Sequence, residues 1–223
     1  GLENLTIVTP SAWLKNYVEQ SFLKDYPVKV IHNGIDTAVF TPDDNGLPQE
    51  LRSTDKKIVL GVASVWDQRK GLQDFIELSK ILDSKYKIVL VGLSKRQMKK
   101  IPDDILGISR TEDAHQLAAL YSASEVFVNP TWIDNFPTTN IEALSCGTPV
   151  ITYQTGGSPE AIDDETGFVV AQGDIQQLSK SVELASEKET GYYQKKCRER
   201  ALKFFDKKER YHDYLNLYEE VRK

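Results

Sequence analysis

Seven apolar runs of strand length punctuate the 223-residue chain: LTIVTP, VKVIHN, KIVLGVASV, YKIVLVGL, EVFVNPT, TPVITYQ and GFVVA. Most are nearly continuous rather than alternating, as expected of strands covered on both faces of a parallel sheet. Between them lie helical patterns such as LQDFIELSKILDSK and DAHQLAALYSAS. In the first, Phe75, Leu78, Ile81 and Leu82 recur three and four apart, marking one buried helix face. Strand, helix and strand in repetition predict an α/β fold: a doubly wound parallel sheet with right-handed crossovers.

The rhythm breaks once. Residues 33–57 (NGIDTAVFTPDDNGLPQELRSTDKK) carry two prolines, two glycines and many charges, the composition of a linker running over a surface. Before it stands a single strand–helix–strand unit, residues 1–32, with Ser11 as helix cap. Such a unit is too small for a core of its own and reads as the end of a preceding domain. Residues 58–205 form the main domain, and YHDYLNLYEEVRK ends a last helix over residues 206–223.

Charge and cysteine usage narrow the class. A formal net charge of −5 offers no broad attraction to nucleic acid or anionic membrane. Cys146 and Cys197 follow no metal-ligand spacing, which favours reduced thiols in a cytoplasmic protein. No run approaches the ~18 apolar residues of a membrane span. The basic cluster SKRQMKKIP reads as a solvated helix face, so contact with the inner face of a membrane is at most peripheral.

Two loops carry unusual chemistry, and in open parallel sheets ligands bind beyond the carboxyl ends of strands. In ASVWDQRKGLQDF, whose second residue is Ser64, Arg69 and Lys70 precede Gly71 and a helix start. Two cations and helix amides there can face one anion, or the pair can simply be solvated. In PTWIDNFPTTNIEALSCGTPVI, Pro137 fits a first helical turn while Thr138 and Thr139 can satisfy free amides. Asp134 precedes that helix and Glu142 lies about a turn inside it. Both acids can be mere partners of the helix dipole; alternatively each accepts hydrogen bonds from neighbouring hydroxyls of a ribose or sugar.

Taken in order, TPSAW, VIHNGID, RKG, the acid pair with seven residues between its members, NFPTTNIEALSCGTPVI, TGGSPEAI and TGFVV make residues 5–205 resemble the carboxyl-terminal half of group 1 (family four) glycosyltransferases. The resemblance implies a Rossmann-like domain forming one half of a GT-B fold, with an acceptor-binding domain across a cleft. It implies a retaining, metal-independent transfer of a hexosyl group from a nucleoside-diphosphate sugar to a saccharide or lipid-linked acceptor, as in polysaccharide biosynthesis. No cofactor beyond the donor is expected. Carried over, Lys70 contacts the donor pyrophosphate, with Ser64 and Arg69 beside it. Phe136, Pro137, Thr138 and Thr139 present amides to phosphate or sugar oxygens, Glu142 holds the ribose, and Asp134 lies beside the transferred sugar. Asp134 and Lys70 are thus the catalytic candidates.

Two departures stand out. Val65 occupies the position where the family usually has arginine, and Arg69 is expected to supply that charge. Asp134 is one methylene shorter than the usual glutamate. Of the acid pairs, Asp43–Asp44 lies in the linker, and Asp103–Asp104 and Asp163–Asp164 have no further ligands nearby. His32, His115 and His212 pair with no nucleophile and read as structural. Trp66 and Trp132 can each pack on a ligand ring or on the core, and Gly156 and Gly157 serve a tight turn. Rival readings are a nucleotide-sugar-binding module working with a separate acceptor-binding partner, or a non-transferring GT-B relative such as an epimerase or phosphorylase. A dinucleotide-dependent oxidoreductase is disfavoured because GVASVWDQRKG lacks the G-x-G-x-x-G spacing.

Overall fold

The computed structural model describes residues 5–43, 45–189 and 191–222. Asp44 of the linker acid pair therefore lies outside the described residues. The chain opens with β1 (Ile7–Thr9), α1 (Ala12–Glu19) and β2 (Val28–Val30), then a short α2 (Gln49–Arg52). The main domain runs β3 (Lys57–Val62), α3 (Leu72–Ser79), β4 (Tyr86–Val91), α4 (Lys95–Met98), β5 (Ile105–Ile108), α5 (Ala114–Ser122), β6 (Ser124–Asn129), α6 (Thr138–Ser145), β7 (Val150–Tyr153) and β8 (Gly167–Val170). Three helices close the chain: α7 (Ile175–Ser186), α8 (Tyr192–Phe204) and α9 (Lys207–Val221).

The large sheet has six strands in the order β5-β4-β3-β6-β7-β8, all paired in parallel. Its central strands are the continuous apolar runs: Val59, Leu60, Val89, Leu90, Val126, Phe127, Val150 and Ile151 are fully buried. Right-handed crossovers in opposite directions from β3 put α3 on one face with α7, and α5 and α6 on the other with α8.

Three details depart from the sequence expectation. The β5 strand, ILGI, was not among the seven runs: it is short, contains Gly107 and is flanked by charge. The α3 helix stops at Ser79, leaving Ile81 exposed beyond it. Residues 33–57 are no bare surface strap, because Ile35, Thr37 and Leu51 are buried. Arg198 holds this segment down, donating to the carbonyls of Thr37 (2.9 Å), Phe40 (2.7 Å) and Ser145 (2.8 Å).

The first unit is a separate two-stranded parallel sheet, and α1 buries none of its residues. Ser11 caps α1 as predicted, accepting from the Leu14 N–H. The remaining α1 amides reach across to the main domain: the Glu160 carboxylate accepts from the Ala12 and Trp13 N–H groups at 2.8 and 2.9 Å. At the other end, Ile35 bridges Asp206 and Lys29 pairs with Glu220 of α9 at 2.9 Å. A negative group at a helix N-terminus is stabilising, so Glu160 acts as both cap and tether.

Candidate active site

The strand order reverses at β3 and β6: the chain leaves β3 toward β4 on one side, yet β3's other neighbour is β6. Loops leaving these two strands therefore diverge and open a crevice at the carboxyl edge of the sheet. Both loops singled out in the sequence leave from there.

Lys70 ends a single 3₁₀ turn, Gln68–Lys70, which Asp67 caps by accepting the Lys70 N–H at 2.9 Å. Gly71 follows with φ 76°, a conformation costly for other residues. A Cβ there would also strike the Pro130 carbonyl, so the RKG turn lies directly against the exit of β6. The Trp132 N–H donates to the Arg69 carbonyl at 2.8 Å, joining the two loops backbone to backbone. Beneath them, Gly157 donates its N–H to the Asp134 carbonyl at 3.0 Å, with no room for a side chain at Gly156 or Gly157.

A cleft of about 630 Å³ results, within the usual range of roughly 300–1,000 Å³ for small-molecule sites. Ser64, Lys70, Asp134, Phe136, Pro137, Thr138, Thr139 and Glu142 all line it, together with the ends of β4 (Val91, Gly92) and β5 (Ser109, Arg110, Thr111) and Leu117 of α5. Arg69 does not. Its guanidinium donates to the Ile133 carbonyl at 3.2 Å and stays 3.8 Å from Asp134, stitching the loops from outside. Val65 is 66% exposed and also lies outside the lining. The second cation at the cleft is Arg110, which the sequence reading missed because it missed the strand that delivers it.

The two acids sit in different settings. Lys70 Nζ donates to Asp134 Oδ2 at 2.6 Å, and both side chains are mostly covered, at 19% and 16% exposure. Glu142 has no cation beside it in the described ion pairs; the Tyr121 hydroxyl donates to its Oε2 at 3.1 Å. Burial raises the Glu142 carboxyl above its ordinary 4.5, while the Tyr121 and Thr138 hydroxyls pull the other way. The α6 helix starts from Pro137 with no side-chain cap. The threonines therefore do not cap it as expected: proline sits at the cap position, with no side-chain cap bond. First-turn amides without caps carry partial positive charge suited to an anion.

A network of fully or nearly fully buried polar side chains sets α6 in place. Asn129 donates to Asn140 at 2.7 Å, Asn140 to Ser158 Oγ at 3.0 Å, and Thr152 and Ser158 share a hydrogen bond at 2.7 Å. Behind the Asp134 loop, buried Asp74 accepts from the Trp132 indole (3.0 Å) and the Tyr153 hydroxyl (2.6 Å). Trp132 keeps 45% exposure, whereas Trp66 is core, donating to the Val91 carbonyl at 2.8 Å.

His32 stacks on Phe136 with ring centroids 4.7 Å apart, and Asn33 donates to the Phe136 carbonyl at 3.2 Å, so the end of the first unit and the start of the linker brace this loop. His115 and His212 are exposed. Cys146 and Cys197 are buried and free; burial pushes the Cys146 thiol up to about 12.

Comparison with known proteins agrees with this architecture. Among solved structures, sucrose-phosphate synthase from Thermosynechococcus elongatus superposes with a TM-score of 0.83 at 23% identity, over 97% of this chain and 58% of that one. HepE of Anabaena, crystallised with UDP and glucose, gives 0.81 at 18% identity, over 96% of this chain and 62% of that one. The fold is the Rossmann-like half of a GT-B glycosyltransferase. The family of group 1 glycosyl transferases matches residues 43–204, and the chain belongs to that family. The capsular polysaccharide glycosyltransferase CapM of Staphylococcus aureus is 27% identical over 68% of this chain. A D-inositol 3-phosphate glycosyltransferase of Mycolicibacterium paratuberculosis is 30% identical over 66% of it. The chain spans only 43% and 36% of the lengths of these two relatives.

Proposed function

We propose that this chain is the donor-binding half of a retaining glycosyltransferase. It takes a hexosyl group from a nucleoside-diphosphate sugar and delivers it to a saccharide or lipid-linked acceptor held by a second domain opposite the cleft. The observation that carries the reading is the convergence of the β3 and β6 loops, which brings Lys70, Asp134, the start of α6 and Glu142 to one cleft.

The donor lies with its diphosphate between Lys70 and the first amides of α6, and with its ribose at Glu142. Lysine has three N–H donors, so Lys70 can keep its bond to Asp134 and still reach two phosphate oxygens. In the reaction the bond from the anomeric carbon to the diphosphate oxygen breaks, and its electron pair passes to the diphosphate. The acceptor hydroxyl oxygen bonds to the anomeric carbon and passes its proton to the departing diphosphate. Preorganised cations and amides lower the barrier by stabilising the negative leaving group, each such donor being worth about 3 kcal/mol. Asp134 orients the transferred sugar rather than attacking it, because a carboxylate bonded to Lys70 is a weakened nucleophile. Charge compensation by Lys70 and α6 makes a metal ion unnecessary in this scheme. Among the described residues, no group of three or more His, Cys, Asp or Glu side chains that could hold a metal ion occurs. No helix among them is long and apolar enough to cross a membrane.

The test is ligand-observed titration with UDP-, GDP- and ADP-sugars, UDP first because HepE was crystallised with UDP. One of them should bind and be displaced by pyrophosphate. Failure of all three to bind overturns the proposal.

A further inference from the structure

Tyr121 lies outside every motif that identifies the cleft, yet it is the side chain in closest polar contact with Glu142. It is fully buried. Its ring packs edge-on against Phe127 of β6 at 5.3 Å and Phe40 at 6.3 Å, and its carbonyl accepts from Thr148 at 2.6 Å. The hydroxyl therefore has a fixed address. Burial, then the charge of Glu142, raises the phenol far above its ordinary range, so it acts as a permanent donor at any working pH.

Such a donor constrains the carboxylate. An ionised carboxylate offers about four acceptor positions on its two oxygens. Tyr121 takes one of them, on Oε2. Two of those that remain suit a vicinal diol, provided the carboxylate is held in one rotation.

We propose that Tyr121 is a positioning residue that fixes the orientation of Glu142 and thereby gives the cleft its preference for ribonucleotides over nucleotides lacking the ribose diol. The inference rests on the donor-binding reading above. It assigns discrimination to a hydroxyl that never touches the ligand. Without that hydroxyl the carboxylate turns freely, and the diol must order it on binding.

The experiment compares wild type with Tyr121→Phe, which removes the hydroxyl and keeps the packed ring. UDP, GDP and ADP are titrated calorimetrically, each beside its 2′,3′-dideoxy counterpart. Wild type should favour the ribonucleotide of its preferred base. In Tyr121→Phe that affinity should fall about tenfold, the scale of one hydrogen bond to a charged group, while the dideoxy affinity stays unchanged. A purely structural defect would weaken both alike, and that result overturns the proposal. Glu142→Gln provides a second arm. If Tyr121 acts through Glu142, adding Tyr121→Phe to Glu142→Gln costs no further discrimination; additive losses overturn the proposal even where Tyr121→Phe alone is poorly folded. A wild type that discriminates while Tyr121→Phe discriminates equally removes the role of Tyr121 and leaves the donor reading intact. A wild type that binds none of the nucleotides removes both.

Discussion

The two ends of the cleft handle negative charge in opposite ways. At one end Asp134 sits on a loop and is neutralised by a cation 2.6 Å away, with a second at 3.8 Å. At the other, Glu142 sits inside a helix and meets the Tyr121 hydroxyl, while burial raises its carboxyl above the ordinary value. An ion pair can exchange partners when a ligand brings its own charge. A carboxylate held by hydroxyls cannot, and it spends stability to keep acceptors aimed at the cleft. In the proposed donor complex the Asp134 end therefore responds to the diphosphate, and the Glu142 end recognises hydroxyl groups without moving.

The largest expected effect breaks the responsive end. Lys70→Ala should weaken nucleotide-sugar and pyrophosphate binding alike by about 2–3 kcal/mol, the scale of a charge-assisted contact in a covered site. Calorimetry checks this, and unchanged affinity would take Lys70 out of the site. The same end has a sharper signature. Asp134→Asn frees Lys70 from its partner, so pyrophosphate should bind at least as tightly as before even as sugar transfer falls.

Next in size is the support behind that loop. Asp74→Asn leaves one acceptor for two donors, the Trp132 indole and the Tyr153 hydroxyl. It should lower unfolding free energy by about 1–2 kcal/mol in denaturant melts. Trp132 fluorescence should change with it, and a variant with wild-type stability and emission would contradict the tether.

The smallest effect comes from the rigid end and has the opposite sign. Glu142 holds its proton more tightly when folded than when unfolded. Its contribution to stability is therefore fully present below about pH 4.5 and is lost as pH rises through its raised folded value. Glu142→Gln should consequently stabilise the chain at neutral pH by about 1 kcal/mol, the low end of the cost of burying a poorly compensated polar group. The gain should vanish in melts run below that pH; a loss of stability at neutral pH would contradict the account. Nucleotide affinity should move the other way, declining as pH falls through the same raised value, since protonated Glu142 accepts fewer hydrogen bonds.

How much of this was legible in the sequence follows from chemistry rather than from chance. The central strands are readable because burial on both faces demands continuous apolar runs. The β5 strand lies at the sheet edge, with Leu106, Gly107 and Ile108 only partly buried, so no such demand shapes it. Missing that strand hid Arg110 at its end. The spacing of Asp134 and Glu142 is visible because a single loop and helix carry both. Tyr121 reads only as an apolar helix position; nothing in its neighbours says that its hydroxyl meets an acid 21 residues on. Arg69 and Lys70 look interchangeable as a pair of letters, yet the 3₁₀ turn sends one into the cleft and the other onto the outer seam. The Asn129–Asn140–Ser158–Thr152 network was invisible for a related reason: its members are spread over β6, α6, β7 and a turn.

Diffraction from crystals grown with the tightest-binding nucleoside diphosphate tests the central claim most directly. The account predicts the diphosphate between Lys70 Nζ and the first amides of α6, with both ribose hydroxyls on Glu142. A nucleotide bound with its ribose at Lys70, or at another surface of the domain, would contradict it.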